Sequence, residues 1–227
     1  MIHIKRNIIL ISLTVLVLAL VMLMISVALL SGKIGDMYYT KWNNSKTHSN
    51  AVISKAIILY EIDYTVFGNS STLTKMCNAI NDSIIYGNEY DYNYSKVKKY
   101  FSLVIQEDDI DHLLKMRLWS RYIESLFYTD GVDEYMKKFE DDMHNFDSID
   151  ILSALDPLLF KPNVTSTELE WVICKCNDMI IFNSDLKFQA FVLHQQAFAY
   201  HRLGNIDKAD EIEKRSSDIF ESISQSS

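Results

Sequence analysis

Residues 8–30, IILISLTVLVLALVMLMISVALL, decide how the rest of this chain is read: 23 consecutive positions hold only three polar residues, Ser12, Thr14 and Ser26, and no charge. At a rise of 1.5 Å per residue a helix of this length covers about 34 Å, against a bilayer hydrocarbon core of about 30 Å. The stretch is expected to be a transmembrane helix with a modest tilt. Residues 1–7 precede it, a polar linker is expected at 31–50, one helical domain at 51–222, and a disordered tail at 223–227.

Lys5 and Arg6 stand before the span, with His3, whereas the first charges after it are Lys33 and Asp36. Positive charge tends to remain on the cytoplasmic side, so the N-terminus is expected in the cytoplasm and the remainder outside it. A cleaved secretory signal competes with this reading, because Ser26-Val27-Ala28 offers small residues at a signal-peptidase spacing. The apolar run ahead of that site is longer than the usual signal core, which favours an uncleaved signal-anchor.

All 30 acidic residues follow the span, together with 20 of the 22 Lys and Arg, so the part beyond residue 30 carries a net charge of −10. An acidic surface repels phosphate backbones, and no nucleic-acid partner is expected. Six Gly and two Pro are few for 227 residues. Apolar residues recur at helical spacing along the chain, and the expected class is all-α.

Working outward from the span, Ala51–Phe67 fits a helix through Val52, Ile53, Ala56, Leu59 and Tyr60. Gly68-Asn69-Ser70-Ser71 breaks it, and Leu73, Met76, Cys77, Ile80 and Ile84 mark a second helix that Gly87-Asn88 should end. A Tyr-rich turn at 86–94 leads to Ser95, an expected cap for a helix bearing Val97, Tyr100, Phe101 and Val104. Glu107-Asp108-Asp109, with Asp111 and His112 beside them, resemble a metal cluster, but acidic residues before an apolar-periodic run are expected to cap the next helix. Thr129-Asp130-Gly131 is a turn, followed by the stripe Val132, Tyr135, Met136, Phe139, Met143 and Phe146. Pro157 is expected in the first turn of a new helix, a capping box is expected at Thr165 and Glu168 or at Thr167 and Glu170, and Asn183-Ser184-Asp185 is expected at the start of a last hairpin.

The three cysteines, Cys77, Cys174 and Cys176, have no metal-ligand spacing. They suit small apolar sites; in an oxidising compartment Cys77 is open to a bridge with either of the others. Asn43, Asn69, Asn81, Asn93 and Asn163 open Asn-x-Ser/Thr triplets, a number little above chance in so Asn- and Ser-rich a chain. The bias to Asn, Ile, Lys and Tyr suits an AT-rich bacterial genome. No nucleophile and base set and no cofactor motif stand out; an enzyme is not expected, nor a cofactor or metal.

The last helices carry a more specific pattern. In Ala199-Tyr-His-Arg-Leu-Gly-Asn-Ile-Asp-Lys-Ala209 the order of small, aromatic and turn residues resembles the centre of a tetratricopeptide repeat (TPR). Ala197 stands at the small first-helix position, Tyr200 at the aromatic one, Leu203-Gly204 at the turn and Ala209 at the small second-helix position. The match is good over residues 189–222 and departs from the pattern at Leu193, where Trp is usual, at Gln196 (Leu), at Glu213 (an aromatic) and at Ser216 (Ala). Weaker echoes at 93–104 and 127–143 place equivalent positions 97, 135 and 209 at irregular spacing, with Tyr135 where a small residue belongs. The resemblance implies a TPR-like α-solenoid of irregular helical hairpins.

It also implies a function. Such hairpins bind proteins on a concave face lined by first helices, and the family's positions fall here on Phe191, His194, Phe198, His201 and Arg202, all expected on one side of a helix. The expected protein is a bacterial inner-membrane, single-pass scaffold or chaperone-like accessory factor for an envelope assembly such as a secretion, pilus or translocation machine, its C-terminal domain periplasmic. A sensor or co-regulator acting through a membrane partner is the alternative.

Overall fold

A computed structural model describes residues 2–86, 93–145 and 149–225. Among them every regular element is helical and no strand occurs. The chain divides into two compact units, Met1–Tyr92 and Asn93–Ser227. The expected single domain at 51–222 is corrected by this division, because residues 51–86 pack with the anchor helix.

The first unit holds α1 (Ile2–Asn43), α2 (Asn50–Phe67) and α3 (Ser70–Tyr86). One segment of α1 is long and apolar enough to cross a membrane. The helix does not stop where the apolar run ends. It continues through Ser31–Asn43, which overturns the expected linker at 31–50 and leaves only 44–49 as connection.

Asp36 and Tyr39 of this segment bond to neighbouring helices, while Lys33, Thr40, Lys41 and Asn43 stay exposed. A Cβ on Gly32 would stand 2.7 Å from the Asp63 carboxylate, and one on Gly35 would stand 2.8 Å from the Tyr60 ring, so these two α2 side chains lie directly on the α1 backbone where the glycines leave room. Asp36 then accepts a hydrogen bond from the Tyr60 hydroxyl (2.8 Å) and pairs with Lys75 of α3 (2.9 Å). The Tyr39 hydroxyl donates to Asp82, and Thr72 donates to Asp63 at 2.6 Å. Burial, and then the bond to Asp36, push the Tyr60 hydroxyl far above its ordinary value, so it remains a donor at any physiological pH. Trp42 is buried beside Tyr39 and His48, and Ile53, Ala56 and Tyr60 supply the buried stripe of α2. Gly68, at φ +62°, closes α2 by returning its N–H to the Tyr64 carbonyl.

The second unit holds α4 (Tyr94–Val104), α5 (His112–Thr129), α6 (Val132–Asp142), a 3-10 segment (Ile149–Leu155), α7 (Asp156–Phe160), α8 (Ser166–Phe182), α9 (Leu186–Arg202) and α10 (Ile206–Gln225). Asn93, not Ser95, caps α4, accepting from the Lys96 N–H at 3.0 Å. Asp111 caps α5, while Glu107, Asp108 and Asp109 lie in the turn before it. Thr165 and Glu168 form the expected capping box on α8, Pro157 sits in the first turn of α7, and Asp185 caps α9. The core gathers Trp119 and Ile123 of α5, Tyr135 and Phe139 of α6, Leu155 at the start of α7 and Leu158 within it, and Val172 and Cys176 of α8. Tyr135 is wholly buried and donates to the Ala154 carbonyl at 2.5 Å. The expected tail at 223–227 is helical as far as Gln225. All three cysteines are free, Cys77 and Cys176 buried and Cys174 exposed. The Tyr-rich turn at 87–92, Gly87-Asn88, Phe146 and Ser148 lie outside the described residues.

Because the Tyr60 ring is held against Gly35 by its bond to Asp36, Gly35→Ala should strain the crossing and lower the stability of the full chain in detergent by about 1 to 3 kcal/mol. Chemical denaturation followed by helical circular dichroism checks this; an unchanged midpoint would show that α2 does not lie on α1 there.

Asp156 gives a pH-dependent test of the second unit. Burial, opposed by Arg121 and reinforced by Glu124, pushes its carboxyl up to about 6 from 3.8. The folded chain therefore binds this proton more tightly than the unfolded chain, and the associated stability is lost as pH rises from about 4 through about 6. Asp156→Asn should gain on the wild type across that window, by on the order of 1 kcal/mol at neutral pH because water still reaches the carboxyl. Paired melts from pH 4 to 8 read the difference; a gap independent of pH would assign the effect to something other than ionisation.

Candidate functional site

The five positions expected to form one binding face lie on α9 but are put to different uses. Phe191 meets Phe220 of α10 edge to face, with ring centroids 5.1 Å apart. His194 is exposed and places Nδ1 2.9 Å from Glu213 Oε2, also on α10. Phe198 meets Phe160 of α7 at 5.1 Å. Arg202 donates to the carbonyls of Leu158 (3.3 Å), Leu159 (2.5 Å) and Lys161 (2.8 Å), satisfying the C-terminal end of α7. His201 alone is exposed without such a contact described here. Phe191 and His194 thus touch α10, Phe198 and Arg202 touch α7, and His194 and His201 stay exposed.

A cleft of about 540 Å³ opens instead on the Tyr200 side of α9, toward α8. Glu170, Ile173, Cys174 and Asn177 line it from α8, Tyr200, Leu203 and Asn205 from the end of α9 and its turn, and Ser166 from the start of α8. Its floor is tied by Gln196, buried in the seam, whose Nε2 donates to Asn177 Oδ1 at 2.7 Å. The rim therefore offers one carboxylate, two amides and a thiol over the apolar Ile173, Tyr200 and Leu203. Along α8, Glu170, Cys174, Asn177 and Ile181 follow at spacings of 4, 7 and 11, within about 60° of one another around the axis. That strip runs about 16 Å and ends at Ile181, 76% exposed, beside Phe182 at 69%.

The strip lies on α8, outside the α9 positions that the repeat resemblance singles out. The sequence carries a signal for it: Glu170, Cys174 and Asn177 share a polar face flanking the apolar stripe of α8, and Ile181 is an apolar residue placed on that face.

A second cleft, of about 430 Å³, lies among α4, α5 and α6 and is lined by Gln106, His112, Lys115, Trp119, Tyr122, Lys138 and Asp142, among others. Its carboxylate is already engaged: Asp142 accepts from Trp119 Nε1 at 2.8 Å and from Lys138 Nζ at 2.9 Å. Lys115 donates to the Glu107 carbonyl at 3.3 Å. Burial pushes the Tyr122 hydroxyl up, opposed by the Lys138 charge. This arrangement braces the three helices. Among the described residues no group of three His, Cys, Asp or Glu side chains is placed to hold a metal ion.

No protein-family model, curated protein or solved structure matches this chain.

The contacts separate the α9 residues by measurement. Arg202→Ala removes charged hydrogen bonds from three carbonyls and should lower stability by about 2 kcal/mol, whereas His194→Ala breaks an exposed pair and should change it by about 1 kcal/mol or less. Equal losses in denaturant titration would contradict the capping role of Arg202.

Proposed function

We propose that this chain is a membrane-anchored protein–protein interaction scaffold whose C-terminal helices bind a segment of another protein. The observation that carries the reading is the α8 strip. A polar cleft with an apolar floor continues into Ile181 and Phe182, two of the most exposed large apolar side chains outside the span. Exposed apolar anchors beside directional polar groups suit recognition of a partner segment, which would bring a basic or amide-donating group to Glu170 and Asn177 and an apolar side chain to Ile181. No catalytic role is assigned.

Residues 8–30 serve as the anchor, with the N-terminus cytoplasmic and the C-terminal unit periplasmic in a bacterial inner membrane; Lys5 and Arg6 before the span support that orientation. Within this class the chain is an accessory factor, a scaffold or chaperone-like protein, for an envelope assembly that handles exported chains, such as a secretion, pilus or translocation machine. Its last hairpin is TPR-like. In support, Ala197 and Ala209 are buried at the expected small positions, and Gly204 takes φ +77° in the turn. One observation favours the alternative, a sensor or co-regulator acting through a membrane partner. Because α1 runs unbroken from the apolar segment to Asn43, a movement of the first unit has a rigid route into the span.

Photo-crosslinking in intact native membranes tests the reading. A photoreactive side chain at Ile181 or Glu170 should give a discrete adduct, and one at the exposed Lys214 of α10 should not. Ile181→Asp should abolish the Glu170 adduct without moving the denaturation midpoint. No adduct from either strip position would overturn the reading, and the adduct's identity, a machine subunit or a regulator, decides between the two roles.

A further inference from the structure

We infer that the turn between α2 and α3 is a second membrane contact, a wedge that seats in the lipid interface beside the span. The inference rests on the anchor reading of residues 8–30. α2 runs antiparallel to α1, with Asp63 against Gly32 and Tyr60 against Gly35. Each residue further along α2 is therefore one further back along α1, which brings Phe67 level with Ala28, inside the last turn of the apolar stretch. Ala28 is fully buried, and Ile25, one turn earlier, is 36% exposed where Met24 is 64%. The helical pair thus overlaps the end of the span.

Charge marks the same level on all three helices. The first charge of α1 after the span is Lys33, the last of α2 is Asp63 beside Gly32, and the first of α3 is Lys75, bonded to Asp36. These groups fall within about one turn of α1, a belt roughly 6 Å deep. On the span side of that belt nothing is charged. Residues 64–74 hold only Tyr, Thr, Val, Phe, Gly, Asn, Ser and Leu, an uncharged stretch bounded by Asp63 and Lys75. Ile62, Val66 and Phe67 remain 37%, 42% and 42% exposed. Neutral small polar groups around exposed apolar ones, placed where the span leaves the hydrocarbon, match the headgroup boundary, in which interfacial segments sit about 5 to 10 Å deep. Lipid is the occupant that continues the surface already present on α1.

The test uses the full chain with Cys174→Ser, which leaves only the buried Cys77 and Cys176 as native thiols. An environment-sensitive fluorophore is attached at Asn69→Cys, at Val66→Cys, at Val17→Cys within the span, or at Lys46→Cys beyond the far end of α1. Each protein is reconstituted in phosphatidylcholine vesicles with and without nitroxide-labelled lipid. Labels at 69, 66 and 17 should lose emission to the nitroxide, while the label at 46 keeps it. Quenching at 17 without quenching at 69 or 66 overturns the wedge and leaves the anchor intact. Absence of quenching at all four positions overturns both. Shielding of the 69 label from aqueous iodide in detergent, growing with protein concentration, would assign the turn to a second copy of the chain and overturn the lipid contact.

Discussion

The close crossing of α1 and α2 at Gly32 and Gly35 is the constraint on which the first unit depends. Two absent side chains leave room for the Tyr60 ring to lie on α1 and reach Asp36, and for the Asp63 carboxylate to lie against Gly32. Once that distance is set, Lys75 and Thr72 of α3 find their carboxylates, and a segment that would otherwise be solvated becomes one wall of a three-helix unit. The ion pair itself contributes little, since both partners are about half exposed. The geometry it reports is worth more, because it fixes the register of three helices relative to the end of the apolar run.

That register also explains how a long apolar segment and a polar, helix-packed segment share one continuous rod. A helix of 42 residues rises about 63 Å, roughly twice a hydrocarbon core. Its second half must therefore be dressed by something other than lipid. Ala28, Ser31, Gly32 and Gly35 present small residues on one side of it, where α2 replaces lipid as the neighbour.

Much of this architecture was legible in the sequence, because helix identity depends on local signals. The capping box at Thr165 and Glu168, the first-turn Pro157 and the last hairpin all stand as local pattern dictates. The continuation of α1 was not legible. Its Gly, Asp, Tyr and Lys composition is that of a solvated connection, and their partners lie 24 to 43 residues away. Arg202 was misplaced for the same reason, since the carbonyls it satisfies belong to residues 41 to 44 positions earlier. Periodicity assigns a face to a helix but cannot say which element will cover it.

The last hairpin shows where departures from a repeat pattern go. Leu193 packs with Ala197 and Ile212. Ser216 is buried and donates to the Ala190 carbonyl at 2.8 Å, and Glu213 pairs with His194. Gln196, buried where an apolar residue would be usual, is satisfied by Asn177 across the α8–α9 seam. Each of these residues has a partner on a facing helix. A satisfied buried hydrogen bond stabilises by only about 1 kcal/mol, but an orphaned amide costs about 1 to 3 kcal/mol. Sliding α9 along α8 by one turn would separate Gln196 from Asn177 and incur that penalty, whereas an all-leucine seam would tolerate the slip. The polar tie thus fixes the register of the seam more than its strength, and with it the relative placement of Tyr200, Cys174 and Glu170 around the cleft.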